Sequence, residues 1–282
     1  MTIKEVLKKY SSIEIEQLLS HILGKPKEFL YMNTDHRLTR KETNRLTRMV
    51  ERRLAGEPVA YILGYKDFLG LRFEVNKDVL IPRPETEWLV EKVESLKLKV
   101  KSGKIKVLDL GTGSGCIAIS LAKKLLATSY QLQAADISPA ALKVAKENAK
   151  KHQAKIKFIQ SDLFKNISGK FDIIVANLPY VPIRILNKYM RRVEKLTIDD
   201  PFAGLKYEPL TALTDGTPSF QIYRRFFEQV GGYINKDGLI LLEIDPSSKK
   251  FLIEYQKKYL PSGRMKFYRD FNKLWRYAEI KV

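Results

Sequence analysis

The chain has 282 residues, enough for one large domain and a small one, and its 44% apolar content is that of ordinary globular material. No run approaches the ~20 consecutive apolar residues of a membrane span, and one cysteine (Cys116) with three scattered histidines (His21, His36, His152) excludes an internal disulfide and speaks against a metal site. The net charge of +19, from 51 Lys and Arg against 32 Asp and Glu, selects acidic partners without naming one.

Met1-Thr2-Ile3-Lys4-Glu5 alternates apolar and polar residues, so no secretory signal is expected and the cytoplasm is the default compartment. Residues 1 to about 55 read as helical. Thr2-x-x-Glu5, Ser11-x-x-Glu14 and Thr39-x-x-Glu42 each fit a capping box. Leu18, Leu19, Ile22 and Leu23 keep helical spacing, and Gly24 is placed to end that helix. Leu46, Met49, Val50 and Leu54 form a second stripe. The opposite face carries Arg37, Arg40, Lys41, Arg45, Arg48, Arg52 and Arg53, and reads either as a solvated helix surface or as a docking surface. The period changes over 56–82, where 61–64 and 68–75 have the aromatic content and Gly punctuation of a hairpin. From Lys104 onward strands at 107–110, 131–135, 156–159 and 171–176 alternate with helical segments, which predicts a parallel sheet. Further strands are expected at 238–244, 264–268 and 274–282. Residues 183–220 read as an irregular, functional loop region.

Four strand ends carry the chemistry. Val107-Leu108-Asp109-Leu110-Gly111-Thr112-Gly113-Ser114-Gly115 runs from a strand into a Gly-rich turn, with a helix following over 116–124. Glycines let the backbone approach a ligand closely, and the helix start adds N–H donors. The spacing is G-x-G-x-G, because Cys116 stands where a dinucleotide fingerprint needs its third glycine. With Asp109 two residues before Gly111, the segment resembles the D-x-G-x-G-x-G loop of class I S-adenosylmethionine methyltransferases. Asp136 ends the next strand, where a carboxylate either accepts the ribose hydroxyls of an adenosyl group or caps the following helix. Asp162 and Leu163 follow the third strand, where methyltransferases contact adenine; Asp162 is suited to the exocyclic amine and Leu163 to the ring. Asn177-Leu178-Pro179-Tyr180 follows the apolar run at 171–176, at the sheet edge where open α/β folds bind ligands. The group suits a planar NH2: the Asn177 side-chain oxygen and a nearby backbone carbonyl each accept one N–H, while Tyr180 packs on the flat face.

Together, 109–115, Asp136 and 177–180 resemble an N-methyltransferase acting on an amide or amino group. Upstream, Gly56-Glu57-Pro58-x-x-Tyr61-Ile62-Leu63-Gly64 and Ile81-Pro82-Arg83-Pro84-Glu85-Thr86-Glu87 closely resemble the HemK/PrmC family, as do Glu208-Pro209-Leu210, Ala212-Leu213 and Asp215-Gly216. The resemblance runs over nearly the whole chain. It implies an α/β class I SAM-dependent methyltransferase fold (Rossmann-like sheet) with a small N-terminal helical domain joined by a β-hairpin. The implied boundaries are 1–55 for a helical substrate-docking domain, 56–82 for the hairpin linker and 83–282 for the methyltransferase domain. The implied activity is transfer of a methyl group from S-adenosyl-L-methionine to the glutamine side-chain amide (N5) in the Gly-Gly-Gln motif of class I peptide chain release factors. The cofactor would lie on Asp109, Gly111, Thr112, Gly113, Ser114, Gly115, Asp136, Asp162, Leu163 and Asn177. Asn177, Leu178, Pro179 and Tyr180 would be catalytic and hold the substrate, with Arg83 and Glu85 shaping the cofactor or substrate side. No metal, membrane or direct nucleic-acid partner is expected.

Three other readings share parts of this pattern. A ribosomal-protein glutamine methyltransferase is the closest, but that branch typically has a different sequence after Pro-Arg, and Pro84-Glu85-Thr86-Glu87 sides with the release-factor branch. A DNA amino-methyltransferase uses the same NH2 logic but needs a second α/β-sized segment for base flipping, which is not found. An inactive cofactor-binding protein that docks on ribosomes or RNA draws its support from Leu178, which stands where the family has the first Pro of N-P-P-Y. The Leu178 carbonyl remains an available acceptor, and Pro179 still pushes residue 178 toward an extended conformation. If the turn works through that carbonyl, Leu178→Pro is expected to be tolerated or mildly beneficial, since it keeps the carbonyl and reduces the freedom of the free turn.

Overall fold

The computed structural model describes residues 1–10, 12–96, 104–125, 129–190, 204–217 and 220–282. The chain forms two compact units, Met1–Tyr65 with Arg192–Tyr207, and Lys66–Arg191 with Glu208–Val282.

The first unit contains α1 (Ile3–Tyr10), α2 (Ile13–Leu23), α3 (Lys27–Met32), α4 (Arg40–Leu54) and α5 (Val59–Leu63). Two of the expected capping boxes form. Thr2 and Glu5 exchange bonds at 2.8 and 3.2 Å, and Thr39 and Glu42 at 2.7 and 3.2 Å. Each box satisfies N–H groups that a first turn leaves unpaired. At α2 the cap is instead Ser12, which accepts from the Glu14 N–H at 3.3 Å; Ser11 lies outside the described residues. Gly24 ends α2 at φ 62, a left-handed conformation that costs glycine little. The apolar faces meet around Ile3, Val6, Ile15, Leu18, Leu19 and Leu46.

The stripe on α4 needs a correction. Leu54 is 61% exposed, whereas Arg53 is buried and pairs with Glu14 at 2.5 Å. Residues 46, 49, 50 and 53 occupy the i, i+3, i+4 and i+7 positions of one helical face, so 53 completes it rather than 54. A guanidinium is tolerated there because a carboxylate meets it. Residues 61–64 are likewise not a strand. Pro58, at φ −58, leads into α5, and Gly64 at φ 81 ends it.

β1 (Tyr65–Phe68) and β2 (Leu71–Glu74) form the hairpin, which is shorter than the 56–82 segment expected to contain it. The α/β body follows as α6 (Glu87–Ser95), β3 (Ile105–Leu110), α7 (Cys116–Lys124), β4 (Tyr130–Asp136), α8 (Pro139–Lys151), β5 (Lys157–Gln160), β6 (Phe171–Asn177), α9 (Ile183–Met190), α10 (Leu210–Leu213), α11 (Gln221–Val230), β7 (Ile234–Glu243), α12 (Lys249–Tyr259), β8 (Arg264–Arg269) and β9 (Trp275–Lys281). The region 183–220 is thus partly helical; 191–203 and 218–219 lie outside the described residues.

The seven strands are ordered β5-β4-β3-β6-β7-β9-β8, parallel from β5 to β7, with β9 antiparallel to both neighbours. Alternate residues of β6 point to opposite faces. Ile173 and Val175 pack with Leu89, Val90 and Ile117 of α6 and α7, and Ile174 and Ala176 with Tyr223, Phe226 and Leu252 of α11 and α12. A sheet covered on both faces requires continuous apolar strands, and these runs supply them. From β3 the chain winds outward through β4 and β5, then returns to place β6 on the other side of β3. That reversal opens a crevice between the carboxyl ends of β3 and β6. Among the described residues no helix is long and apolar enough to cross a membrane.

Candidate active site

A cavity of about 530 Å3 occupies that crevice, lined by the ends of β3, β4 and β6 and by α10. Its size falls in the ~300–1,000 Å3 range of small-molecule sites. The floor is the turn after β3. Gly111, Gly113 and Gly115 all take positive φ, at 77°, 54° and 83°. At Gly113 a Cβ would meet nothing within 4 Å, so the bare backbone there borders open space. At Gly115 a Cβ would lie 2.9 Å from Ile119 Cδ1 and 3.2 Å from Ala145 Cβ, so this glycine serves the packing of α7 on α8.

Buried polar groups hold the turn in place. Asp109 Oδ2 accepts from the Thr112 hydroxyl at 2.7 Å and from the Ala118 N–H at 3.1 Å. Asn148 of α8 donates to the carbonyls of Ser114 and Glu74 at 3.0 Å each and accepts from the Glu74 N–H at 2.7 Å, tying the turn to β2. Asp136 accepts from the Gly113 N–H and the Ser138 N–H, both at 2.9 Å. The cap of α8 is Ser138, not Asp136.

The sequence-predicted residues divide between the cavity wall and its support. Arg83, Gly111, Thr112, Gly113, Ser114, Asp136, Asp162, Leu163, Asn177, Leu178 and Pro179 line the cavity. Asp109, Gly115, Tyr180 and Glu85 do not. Tyr180 packs against the α11 core and its hydroxyl donates to Glu243 Oε1 at 2.9 Å, so in this structure its ring is not a flat face of the cavity. Glu85 contributes its carbonyl, which accepts from the Tyr277 hydroxyl at 2.8 Å. Leu178 is buried, and its Cδ2 lies 3.4 Å from where a Cβ on Gly111 would stand. A proline at 178 would keep the carbonyl but leave part of that space unfilled.

Five residues outside the predicted set complete the site. Glu208 is buried; it pairs with Arg83 at 2.5 Å and accepts from the Ile81 N–H at 3.1 Å. Arg225 pairs with Asp162 at 2.6 Å. Thr86 and Glu243 link Asn177 to Tyr180: Asn177 Nδ2 donates to Thr86 Oγ1 at 3.1 Å, and the Thr86 hydroxyl donates to Glu243 Oε2 at 2.7 Å. Asn148 is the fifth. The motif 81–87 already held Thr86, and Glu243 ends an apolar strand run as Asp136 does. Nothing in the spacing pointed to Asn148 or Arg225.

Burial governs the charges. It pushes the Asp109 carboxyl up to about 7, against the pull of the Thr112 hydroxyl and the Ala118 N–H. Asp136 is raised by burial and drawn back by the Ser138 and Gly113 N–H groups. Glu243 is raised by burial and drawn back by the Thr86 and Tyr180 hydroxyls and by Arg276. The Cys116 thiol is pushed up to about 12 by burial, so it is no nucleophile at neutral pH. Among the described residues no cluster of His, Cys, Asp and Glu is placed to hold a metal ion.

These shifts carry a stability prediction. A carboxyl whose folded pKa lies above its unfolded value keeps its proton longer when folded, so stability falls as pH rises between the two values. For Asp109 that window runs from the ordinary 3.8 to about 7. Asp109→Asn should flatten the decline of melting temperature across this window relative to wild type. Thermal melts at matched ionic strength check it; parallel curves would mean that Asp109 is charged throughout.

A family model for the PrmC N-terminal domain matches residues 4–64, and one for the methyltransferase small domain matches 85–192. A release factor glutamine methyltransferase of Haemophilus influenzae is 35% identical over 242 residues, 83% of this chain and 79% of that one. One of Koribacter versatilis is 38% identical over 234 residues, 82% and 78%. Among solved structures the hMettl16 catalytic domain, in complex with the MAT2A 3'UTR hairpin 1, aligns with 100% of this chain and 91% of its own at a TM-score of 0.56. At 14% identity that likeness shows the fold alone.

Proposed function

Because the chain belongs to the release factor glutamine methyltransferase family, we propose that it methylates the N5 amide of the Gly-Gly-Gln glutamine in class I peptide chain release factors, in the cytoplasm, using S-adenosyl-L-methionine. The observation that carries this reading is that the Asn177–Pro179 turn and the Gly111–Gly113 loop line one cavity, in a chain with these relatives.

The cavity fits the cofactor. Its floor is bare backbone at Gly113, the Asp136 carboxylate stands at the second strand end for ribose hydroxyls, and Leu163 and Ile137 offer apolar surface beside Asp162 for adenine. When bound, S-adenosyl-L-methionine supplies an electrophilic sulfonium methyl group. The chain's own task is orientation. A glutamine amide nitrogen is a poor nucleophile because its lone pair is delocalised into the carbonyl. Asn177 Oδ1 and the Leu178 carbonyl accept its two N–H groups and turn the nitrogen lone pair toward the methyl. Well-oriented reactants save roughly 7–11 kcal/mol of barrier. No base is needed before attack, and Glu243 offers none: both its oxygens already accept hydroxyls and it does not line the cavity. Once alkylated, the nitrogen is a strong acid and yields its proton to water.

Arg83, held by Glu208, presents charge at the cavity edge for the substrate chain. The helical unit is read as the docking domain, and the net charge of +19 would speed encounter with an acidic partner. Neither a membrane nor direct nucleic-acid binding belongs to this reading. Parallel incubations with labelled cofactor and a release factor, a ribosomal protein or DNA test it. Label should enter the release factor alone; label in the ribosomal protein or DNA instead would transfer the chemistry to another substrate.

A further inference from the structure

Asn177 can serve the proposed reaction only if its amide is turned one way round, since an amide presents an acceptor at one end and two donors at the other. Asn177 ends β6 and lines the cavity, and its partner Thr86 stands between it and the buried end of β7. The distances form one line: Asn177 Nδ2 to Thr86 Oγ1 at 3.1 Å, Thr86 Oγ1 to Glu243 Oε2 at 2.7 Å, and Tyr180 hydroxyl to Glu243 Oε1 at 2.9 Å. Thr86 is 3% and Glu243 1% exposed, so water does not compete for these bonds.

The direction of the line follows from what each group can do. Glu243 accepts the single hydroxyl proton of Thr86 on Oε2 and that of Tyr180 on Oε1. Having given its proton away, the Thr86 oxygen can only accept from Asn177. The Asn177 NH2 must therefore face Thr86, and its carbonyl oxygen is left for the cavity. Glu243 is itself fixed, because its backbone carbonyl accepts from the Tyr223 hydroxyl at 2.9 Å. One buried carboxylate thus holds the catalytic turn at two points, Asn177 through Thr86 and Tyr180 directly.

We propose that Glu243 and Thr86 are positioning residues that set the polarity of the Asn177 amide and so make it an acceptor for the substrate N–H. The proposal rests on the reaction above but concerns an orientation that exists before any substrate binds.

Three variants test it. Glu243→Gln keeps the shape but can donate its amide N–H to Thr86, which frees the Thr86 hydroxyl to donate to Asn177 and inverts the amide. Thr86→Val removes the acceptor, and Thr86→Ser restores it. Two readouts are needed. The first is the side-chain NH2 resonance of Asn177 in protein labelled with 15N-asparagine, free of cofactor. Wild type and Thr86→Ser should show one exchange-protected proton, and Thr86→Val and Glu243→Gln none. The second is turnover of the release factor at saturating cofactor: kcat should fall at least tenfold in Thr86→Val and Glu243→Gln and recover in Thr86→Ser, with the cofactor Kd within twofold of wild type. The melting temperature of Thr86→Ser serves as the reference for folding. Protection that survives in Glu243→Gln, or a kcat that survives in Thr86→Val, would overturn the relay. A wild type that shows the protected proton but transfers no methyl to release factor would leave the relay standing and remove the substrate assignment.

Discussion

Asn177→Ala is expected to slow the methyl-transfer step about 100-fold, the scale of effect that a misplacement of roughly 1 Å produces. The cause lies in the weak nucleophile. With the side-chain acceptor gone, the substrate amide keeps only the Leu178 carbonyl and can rotate its lone pair away from the methyl. The loss should appear in kcat and kcat/KM alike, because the contact is worth most when the nitrogen is aligned for attack. Single-turnover rates at saturating cofactor and release factor isolate the step. Equal rates for wild type and Asn177→Ala would remove orientation by Asn177 from the account.

Asp136→Ala should weaken cofactor binding by about 1–3 kcal/mol, the cost of leaving polar groups unpaired, or roughly 5- to 150-fold in Kd. Two losses add. The ribose hydroxyls lose their acceptor, and the Gly113 N–H, which donates to Asp136 at 2.9 Å, is released from the position it holds in the turn. Asp136→Asn keeps one acceptor oxygen and should fall between. Calorimetric titration with S-adenosyl-L-methionine or its demethylated product measures the affinity directly. An unchanged Kd in Asp136→Ala would move the adenosyl group elsewhere in the cavity.

What could be read from the residues and what could not has a physical explanation. Strands β3, β4 and β6 were legible because a sheet covered on both faces leaves no alternative to an apolar run. The glycine turn was legible because positive φ at residues 111, 113 and 115 restricts the residue type at each. The short run 61–64 was not, since three apolar residues before a glycine suit a buried strand or a helical turn equally, and Pro58 with Gly64 decided for the helix. Arg53 looked like surface charge until Glu14, 39 positions away, met it in the core. At the site, the identity of the turn 177–180 was plain but its internal division was not. Tyr180 turns from the cavity toward Glu243, and Thr86 reaches Glu243 across 157 positions of sequence. Local spacing has no means of announcing a contact of that separation. Asp162 lines the cavity, and its pairing with Arg225 comes from the packing of α11.

The central claim is that one glutamine amide of a release factor receives the methyl group. Tandem mass spectrometry of a purified class I release factor, before and after incubation with the protein and S-adenosyl-L-methionine, tests it most directly. The account predicts a single added methyl on the side chain of the Gly-Gly-Gln glutamine, and none on a release factor in which that glutamine is replaced. A methyl group on any other residue, or full methylation of the replaced factor, would contradict it.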